Sequence, residues 1–468
     1  MHIHVLGIGG TFMGSLALLA QQLGHRVTGC DRNVYPPMSD LLQANGVRWI
    51  EGYAADQLAL GADCYVIGNA LSRGNPLIEA ILDQRLPYYS GPAWLSQEVL
   101  MQRWVLAVAG THGKTTTTSL LLHVLKLAGL APGFLVGGAP LGEDRSADKG
   151  LTDFFVIEAD EYDTAFFDKR SKFVHYHPNT LVLNNLEFDH ADIFPDLAAI
   201  QKQFCHLMRV VPRNGLIVCP QDSPSLEAVL AQDCWTPVSR VGISTQTVAG
   251  RFWAKLLSED GSHFAIYAGA VRQGEVRWES VGQHNVMNAL AAVLAARHVG
   301  VPPGFAIEAL GTFAGVKRRL ESLGQVRGVE VFDDFAHHPT AIATTLHGMR
   351  ARLERERLET EQPRRLLVVI EPRSSSMKSG CLGSALADAV READRVWWFE
   401  PPDLTWDLRA AVSGEGVSVY ADTQHIIDRV VCEARVGDRV VVMSNGGFEG
   451  LHKRLLAALA LDQSSSVA

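Results

Sequence analysis

A run of glycines, threonines and one lysine at positions 110–116 has the composition of a phosphate-binding loop, and a predicted strand at 104–109 precedes it. Glycines let backbone N–H groups approach phosphate oxygens, and the N-terminus of the following helix adds partial positive charge. We expect Lys114 to reach the outer phosphates of a nucleotide and the Thr115 hydroxyl to hold Mg²⁺. The first glycine of the usual pattern falls at Val108, so the loop is a shortened variant, and a plain glycine turn is the alternative. The residues predicted to contact the nucleotide here are Gly110, Thr111, His112, Gly113, Lys114, Thr115 and Thr116.

Ionisable side chains follow the next two predicted strands. Glu158 follows the strand predicted at 153–157, and His190 closes the polar segment after the strand predicted at 180–183. A carboxylate at the carboxyl end of a strand beside a phosphate loop is where nucleotide-bound Mg²⁺ is held, because Mg²⁺ prefers oxygen ligands. We therefore predict Glu158 as a catalytic metal ligand, with His190 as the second candidate. A solvated acidic turn and a hydrogen-bonded structural histidine are the alternatives.

Two further groups of residues could contact the nucleotide. His284, Asn285 and Asn288 open an alanine-rich helix, where stacking and amide hydrogen bonds could read an adenine, although helix capping by asparagine explains them equally well. Arg319 ends a basic run after a glycine-containing turn and would bring a guanidinium group to phosphates, with a solvated basic turn as the alternative.

Three strand-end loops in the last third of the chain carry polar and charged residues. They span 333–339, 371–378 and 444–449, and each follows a predicted strand, at 329–332, 366–370 and 440–443. Strand-to-helix turns on one edge of a parallel sheet can converge on a ligand. The predicted substrate-binding residues of these loops are Arg373, Ser374, Lys378 and Asn445, of which Arg373 and Lys378 offer positive charge to an anionic group.

The N-terminal glycines resemble a dinucleotide-binding fingerprint but depart from it. Gly7, Gly9 and Gly10 follow the strand predicted at 2–6, whereas the third glycine of the pattern falls at Phe12. The loop can still hold a diphosphate, and Asp31 at the end of the next strand could meet a ribose. The predicted substrate-binding residues of this part of the chain are Gly9, Gly10, Asp31, Ser72 and Arg73.

Short β-branched runs alternate with helical patterns along all 468 residues, which predicts an α/β protein with parallel sheets covered by helices. At about 150 residues per domain, the length predicts about three domains. We predict a Rossmann-like N-terminal domain at 1–103, a P-loop ATPase-like central domain at 104–323 and a Rossmann-like C-terminal domain at 324–468.

The net charge of −9 argues against a nucleic-acid partner, since such binding needs a large basic face. No window approaches the roughly 20 apolar residues of a membrane span, and the N-terminus begins with a strand rather than a signal segment. The seven scattered cysteines contain no CxxC pair, which is typical of reduced thiols. We therefore expect a cytoplasmic protein without a membrane partner, and the sequence leaves its oligomeric state open.

Taken in chain order, the motifs GTxGKT, ExDExD, NxExDH, GxHNxxNALAA, an arginine pair and DDxxHHP resemble those of the Mur ligase superfamily, the ATP-dependent amide-bond ligases of peptidoglycan synthesis. This resemblance covers the whole chain and implies ATP and Mg²⁺ as cofactors. It further implies that the first domain binds a UDP-sugar, the central domain ATP and the third domain the incoming amine. In several relatives a carbamoylated lysine holds a second Mg²⁺, whereas the lysine nearest that position here, Lys202, is out of register. The residues matched to family motifs are Lys114, Thr115, Glu158, His190, His284, Asn288, Arg319, Asp334 and His337.

Four segments resemble one member of the family, which joins the tripeptide L-alanyl-γ-D-glutamyl-meso-diaminopimelate to UDP-N-acetylmuramate in peptidoglycan recycling. They are 34–39, 166–173, 373–378 and 443–448. The alternative within the family is the addition of free L-alanine to UDP-N-acetylmuramate during de novo synthesis. Outside the family, a nicotinamide dehydrogenase would leave Lys114 and Glu158 unexplained, and an ATP-driven switch would need no amine acceptor.

Overall fold

The computed structural model describes residues 1–35, 38–138, 141–142 and 145–461, and it contains one large sheet in each of the three predicted domains. Pro36 and Pro37, within the segment 34–39, lie outside the described residues. The predicted three-domain α/β class is confirmed. Among the described residues, no helix has the length and apolar character needed to cross a membrane.

The first domain is a five-stranded parallel sheet in the order β3-β2-β1-β4-β5. The central strand is buried at every residue, so it needs the helical cover that the crossover connections supply. The glycine loop after β1 and Asp31 at the end of β2 therefore lie at the same edge of the sheet. The elements are β1 (His2–Leu6), α1 (Thr11–Gln22), β2 (Arg26–Asp31), α2 (Met38–Ala44), β3 (Arg48–Glu51), β4 (Cys64–Ile67), α3 (Pro76–Asp83), β5 (Tyr88–Ser90) and α4 (Gly91–Leu95).

The central domain is built on a ten-stranded mixed sheet in the order β17-β16-β15-β14-β13-β12-β6-β9-β7-β8. Its elements are β6 (Trp104–Ala109), α5 (Lys114–Leu127), β7 (Gly133–Leu135), β8 (Ala147–Asp148), β9 (Phe154–Ala159), β10 (Asp163–Ala165), β11 (Asp168–Ser171), β12 (Thr180–Leu183), α6 (Leu197–Met208), β13 (Leu216–Pro220), α7 (Pro224–Asp233), β14 (Val238–Ile243), β15 (Phe252–Leu256), β16 (His263–Ala268), β17 (Val271–Arg277), α8 (Gln283–His298) and α9 (Pro303–Leu310).

The strand that carries the phosphate loop lies at the middle of this sheet. β6 pairs in parallel with β12 on one side and β9 on the other. The carboxyl ends of these three strands therefore meet, as the sequence predicted. The strand predicted at 153–157 is instead β9 at 154–159, so Glu158 lies inside the strand rather than after it.

The third domain is a six-stranded sheet in the order β18-β19-β23-β20-β21-β22, in which only the β18–β19 pair is antiparallel among the described strands. β18 begins at Glu321, so the predicted boundary at 323/324 falls within it. The three polar loops follow β19, β20 and β23, which are neighbours, and so they converge as predicted. The elements are β18 (Glu321–Val326), β19 (Val329–Asp334), α10 (Pro339–Thr360), β20 (Leu366–Ile370), α11 (Ser375–Lys378), α12 (Gly383–Ala389), β21 (Arg395–Phe399), α13 (Leu408–Ala411), β22 (Val417–Tyr420), α14 (Thr423–Glu433), β23 (Arg439–Met443) and α15 (Leu451–Leu461).

The core is continuous between the first two domains. One buried apolar cluster includes Leu16 and Leu19 of α1 together with Phe155 and Ile157 of β9. Separate clusters cover the two faces of the third sheet. All seven cysteines are free thiols, in agreement with the sequence-based expectation.

Candidate active site

The phosphate loop lies between β6 and α5, with its backbone in the conformation that its glycines permit. Gly113 has φ of +78°, and a Cβ there would come within 2.8 Å of Asn288 Oδ1 and 2.9 Å of Asn184 Nδ2. A larger residue would therefore be strained and would also push into α8. Thr111 Oγ1 donates to the Glu187 carbonyl at 3.2 Å, and the N–H of His112 donates to Asn185 Oδ1 at 2.7 Å. These bonds attach the loop to the segment after β12.

Thr115 and Glu158 meet as the predicted magnesium site requires. Thr115 Oγ1 donates to Glu158 Oε1 at 2.8 Å, while the Gly137 N–H donates to Glu158 Oε2 at 2.7 Å. Burial, and then the neighbouring Asp160, raise the pKa of Glu158 above its ordinary value. A divalent cation beside this carboxylate would offset the cost of burying its charge. A hydroxyl and a buried carboxylate are oxygen donors, so these residues fit Mg²⁺.

Glu161 is a central residue of the site that the sequence reasoning left without a role. Its two carboxylate oxygens contact different partners: Lys114 Nζ lies 2.8 Å from Oε2, and His190 Nε2 lies 3.2 Å from Oε1. The signal was present in the acidic run after β9, where only Glu158 was singled out. His190 thus contacts Glu161 and not the Thr115–Glu158 pair, so the predicted metal ligands are brought together only in part.

The three members of this ion cluster shift one another's protonation. Burial alone would raise the pKa of Glu161, but Lys114 and His190 lower it to about 2. Burial alone would lower the pKa of Lys114, but Glu161 and Asp160 raise it above its ordinary value. The pKa of His190 is raised as well, because Glu161 and Asp189 outweigh the effect of burial. The ionised Glu161 therefore favours the cationic forms of both Lys114 and His190.

The turn before β18 brings Arg319 to the phosphate loop. Its Nη2 lies 3.5 Å from Thr115 Oγ1, and its guanidinium lies 4.9 Å from the centre of the Phe335 ring. Asp334 accepts the N–H groups of Leu320 and Ala336, both at 2.8 Å, which fixes the carboxylate beside the turn. Burial raises the pKa of Asp334 to about 6, although Arg319 opposes the shift. Arg319 and Asp334 thus lie at the boundary between the central and third domains, and Arg319 is close enough to the phosphate loop to contact a nucleotide bound there.

The predicted adenine-binding residues form a small network at the start of α8. Asn288 Nδ2 donates to Asn285 Oδ1 at 3.2 Å, and Asn285 Nδ2 donates to the Val281 carbonyl at 2.8 Å. His284 Nδ1 is buried without a hydrogen-bond partner among the described residues. Burial, with Arg319 and His112 nearby, lowers the pKa of His284 to about 4, so the ring is neutral. The unpartnered nitrogen of His284 fits a ligand that supplies a polar group.

Lys172 is the second residue to which the sequence reasoning assigned no role. Its Nζ lies 4.5 Å from the centre of the Phe12 ring of α1 and 4.2 Å from that of Tyr162. The nearest carboxylate oxygen, Asp160 Oδ2, is 3.9 Å away, beyond hydrogen-bond distance, and the side chain is only 4% exposed. Burial lowers the pKa of Lys172. A buried lysine side chain without a close acceptor thus lies where the first domain meets the acidic segment after β9.

The third-domain residues fall into two groups. Ser374 Oγ donates to the His337 carbonyl at 3.1 Å, and Asn445 Oδ1 is buried without a partner among the described residues. Both lie in loops at the carboxyl edge of the third sheet, because β20 and β23 are parallel neighbours. Arg373 Nη1 lies 3.5 Å from Glu371 Oε1 and its side chain packs on Gly446.

Lys378 instead forms an exposed ion pair with Asp403 at 2.6 Å. A contact that the sequence did not predict joins the domains: Ser376 Oγ donates to the buried Asp189 Oδ1 at 2.6 Å. The two residues are 187 positions apart in the sequence, so no local pattern could have predicted this contact.

The glycine loop of the first domain lies against Asp31. The Gly9 N–H donates to Asp31 Oδ2 at 2.9 Å, and Tyr53 OH donates to Oδ1 at 3.1 Å. Gly10 caps α1 in extended conformation. Ser72 is exposed in the loop after β4, and Arg73 is paired with Glu79 at 2.8 Å and is also largely exposed. The structure therefore brings Gly9, Gly10 and Asp31 together and holds Arg73 in a pair within its own loop.

Three models of Mur ligase domains match the chain. They are the Mur ligase family, catalytic domain, at residues 2–103, the Mur ligase middle domain at 108–296, and the Mur ligase, glutamate ligase domain, at 318–446.

Individual relatives match over nearly the full length. The UDP-N-acetylmuramate–L-alanyl-gamma-D-glutamyl-meso-2,6-diaminoheptandioate ligase of Escherichia coli (strain K12) is 50% identical over 98% of each chain. The crystal structure of a murein peptide ligase from Psychrobacter arcticus 273-4 has a TM-score of 0.74 and 46% identity, covering 98% of this chain and 99% of that one. The UDP-N-acetylmuramate–L-alanine ligase of Myxococcus xanthus is 32% identical over 83% of this chain and 84% of its own.

Proposed function

The chain belongs to the Mur ligase family, and from that premise we propose that it joins L-alanyl-γ-D-glutamyl-meso-diaminopimelate to UDP-N-acetylmuramate with ATP and Mg²⁺. The observation that carries the proposal is that residues of the central domain and of its boundaries with the other two domains lie close together. Lys114, Thr115 and Glu158 belong to the central domain. Arg319 lies at the boundary with the third domain, and Lys172 lies beside the first domain. An activated acid, a nucleotide and an amine can thus reach one place. The 50% identity to the Escherichia coli ligase supports the choice of substrates.

Activation of the sugar acid is the first step. A carboxylate is a poor electrophile, so the lactyl carboxylate of the muramic acid attacks the γ-phosphorus of ATP, forming an acyl phosphate and releasing ADP. Lys114 and the loop N–H groups hold the phosphates, and Arg319 neutralises the charge that develops on the transferred group. Thr115 and Glu158 would hold Mg²⁺, which would neutralise charge on the phosphate oxygens.

Lys172 receives the sugar carboxylate in this scheme. Its ammonium lacks a hydrogen-bond acceptor in the described structure and lies between Phe12 of the UDP-sugar domain and Asp160 of the ATP domain. An incoming carboxylate would satisfy this buried cation and be oriented by it. The lysine therefore positions the nucleophile of the first step.

Amide formation follows when the tripeptide amine attacks the acyl carbon and phosphate leaves. An α-amine has a pKa of about 8, so a weak proton acceptor suffices. His190 is less suited, because Glu161 and Asp189 raise its pKa and so favour the protonated ring. Burial lowers the pKa of His337 to about 4, and its Nδ1 lies 2.8 Å from the Phe335 carbonyl, so Nδ1 carries the hydrogen and Nε2 has the free lone pair. We assign His337 as the acceptor of the amine proton.

Comparison of two acceptors tests the proposal. The protein is incubated with ATP, Mg²⁺ and UDP-N-acetylmuramate, and ADP and ligated product are measured with either the tripeptide or L-alanine. We expect stoichiometric ADP and product with the tripeptide and a kcat/KM at least about a hundredfold lower with L-alanine. Preference for L-alanine would support the de novo activity, which the Myxococcus relative represents, and ADP release without any acceptor would support an ATP-driven switch.

The same proposal assigns the protein to peptidoglycan recycling in the cytoplasm, where seven free thiols stay reduced. It requires no nucleic-acid or membrane partner. The domain assignment follows the substrates: UDP-sugar at 1–103, ATP at 104–323 and peptide at 324–468, with Arg373 and Asn445 facing the peptide.

A further inference from the structure

Two histidines and one glutamate form a second ligand cluster apart from the predicted magnesium residues. His112 lies in the phosphate loop, Glu187 follows β12, and His338 immediately precedes α10. One nitrogen or oxygen of each side chain lies within 4.8 Å of the other two. His112 Nε2 is 3.2 Å from Glu187 Oε2, and His338 Nδ1 is 3.7 Å from the same oxygen. We call these residues the His–Glu–His cluster.

The hydrogen bonds of His338 make Nδ1, the nitrogen nearer the glutamate, the acceptor of the ring. Its Nε2 lies 3.2 Å from the Phe188 carbonyl, which only accepts, so Nε2 carries the hydrogen. In the neutral ring Nδ1 is then the acceptor: it accepts the Thr340 N–H at 3.3 Å and lies 3.7 Å from a carboxylate oxygen of Glu187. A metal ion bound to Nδ1 would replace this long hydrogen bond and would lie beside the carboxylate. A carbonyl that accepts the other ring N–H is also the usual outer partner of a metal-bound histidine.

The spacing fits a tetrahedral metal ion. Bonds of about 2.1 Å give ligand–ligand edges of about 3.4 Å in a tetrahedron, and the two separations from Glu187 Oε2, 3.2 and 3.7 Å, bracket that value. Two imidazoles and one carboxylate, with a fourth position open to water, are a donor set for Zn²⁺ rather than for Mg²⁺, which takes oxygen ligands. The side chain of Glu187 is 36% exposed, so an ion can enter from solvent.

We propose that His112, Glu187 and His338 bind one divalent transition-metal ion of the Zn²⁺ class, which links the phosphate loop to the start of α10. The ion would join the central domain to the third domain across their boundary and would stabilise that contact. This site is separate from the Thr115–Glu158 pair, and its existence does not depend on which amine the enzyme uses.

Cobalt titration tests the site directly. The full-length protein, reduced and freed of metal by a chelator, is titrated with Co²⁺, and the visible absorption of tetrahedral cobalt is followed; Zn²⁺ should then displace it. We expect one site, with the dissociation constant raised at least about tenfold in Glu187→Gln and in His338→Asn. Asparagine preserves the helix cap, because His338 Nδ1 accepts the Thr340 N–H at 3.3 Å.

A matched control is a histidine of α10 that also lies close to a carboxylate. His347 Nδ1 lies 3.4 Å from Glu392 Oε1, and both side chains are exposed, so His347→Asn should leave cobalt binding unchanged. Unchanged cobalt binding in Glu187→Gln would overturn the proposal, as would an intense sulfur-to-cobalt absorption band, which would assign the ion to cysteines. If His338→Asn does not fold, Glu187→Gln alone tests the proposal, because it only replaces one carboxylate oxygen by an amide NH₂ group.

Discussion

Replacement of Lys172 by methionine should strongly lower activity while leaving the fold intact. The ammonium gains about 4 kcal/mol from a carboxylate oxygen 3.9 Å away at an effective dielectric constant of 20. The two aromatic rings add about 1–2 kcal/mol each. Burial of the charge costs several kcal/mol, so these contributions nearly cancel. Methionine has a similar length and suits an apolar pocket, and we expect the free energy of unfolding to change by less than about 2 kcal/mol.

The effect on catalysis should be much larger. Truncating one partner of a buried charge pair costs about 2–5 kcal/mol because the other charge loses its partner. If that partner is the sugar carboxylate, kcat/KM for UDP-N-acetylmuramate should fall at least about thirtyfold, since 1.4 kcal/mol corresponds to a factor of ten. ATP binding, measured with a fluorescent analogue, should stay within about threefold of the parent.

Lys169→Met is the matched control for this experiment. Lys169 lies three residues earlier on β11, is mostly exposed and pairs with Asp163, so its loss should leave both activity and stability unchanged. Steady-state ligation kinetics and urea unfolding are measured on both variants. Lys172→Met with the parental kcat/KM would refute the assignment, and a loss of more than about 4 kcal/mol of stability would show that the lysine is structural.

Three further predictions concern the loop, the domain contact and the core. Lys114→Ala should abolish turnover while calorimetry still detects binding of UDP-N-acetylmuramate. Ser376→Ala should lower the free energy of unfolding by about 1–3 kcal/mol, because the buried Asp189 loses a partner, whereas Ser379→Ala should have little effect in the same urea titration. Burial lowers the pKa of His4 from 6.5 to about 4, so this site gains a proton only in the unfolded chain as pH falls between these values. Its contribution to stability should fall there by up to about 3 kcal/mol, and His4→Asn should make the pH dependence less steep by that amount, while His284 and His337 keep their own contributions.

The elements that sequence reasoning located best are those with continuous buried runs. The predicted strands at 104–109, 180–183 and 366–370 coincide with β6, β12 and β20. A short run of apolar residues is favourable only where both faces of the strand are buried, as they are inside a parallel sheet. β18 was missed because its residues are polar and only half-buried at an antiparallel edge. Its pairing with β19 is set by tertiary contact, which no local pattern reports.

The same distinction applies to the site. Lys114, Thr115 and Glu158 could be predicted because a phosphate loop and a carboxylate at the end of a strand are each recognisable from a short local sequence pattern. Lys172 lies in a charged segment that is typical of a solvated turn, and its burial depends on Phe12, which is 160 positions away. Glu161 was overlooked for a different reason: several acidic residues stand together, and only their three-dimensional contacts separate them.

Glu161 also has a consequence for how the nucleotide is exchanged. Because its carboxylate contacts Lys114 at 2.8 Å, any phosphate that approaches the lysine competes with an anion belonging to the protein. The binding free energy of a nucleotide is then reduced by the free energy of the Lys114–Glu161 contact that its phosphate replaces. This favours a triphosphate, which makes many other contacts, over an ion that contacts the lysine alone. After the reaction the carboxylate can return to the lysine as inorganic phosphate departs. The internal anion thereby competes with inorganic phosphate for the lysine at the end of the reaction.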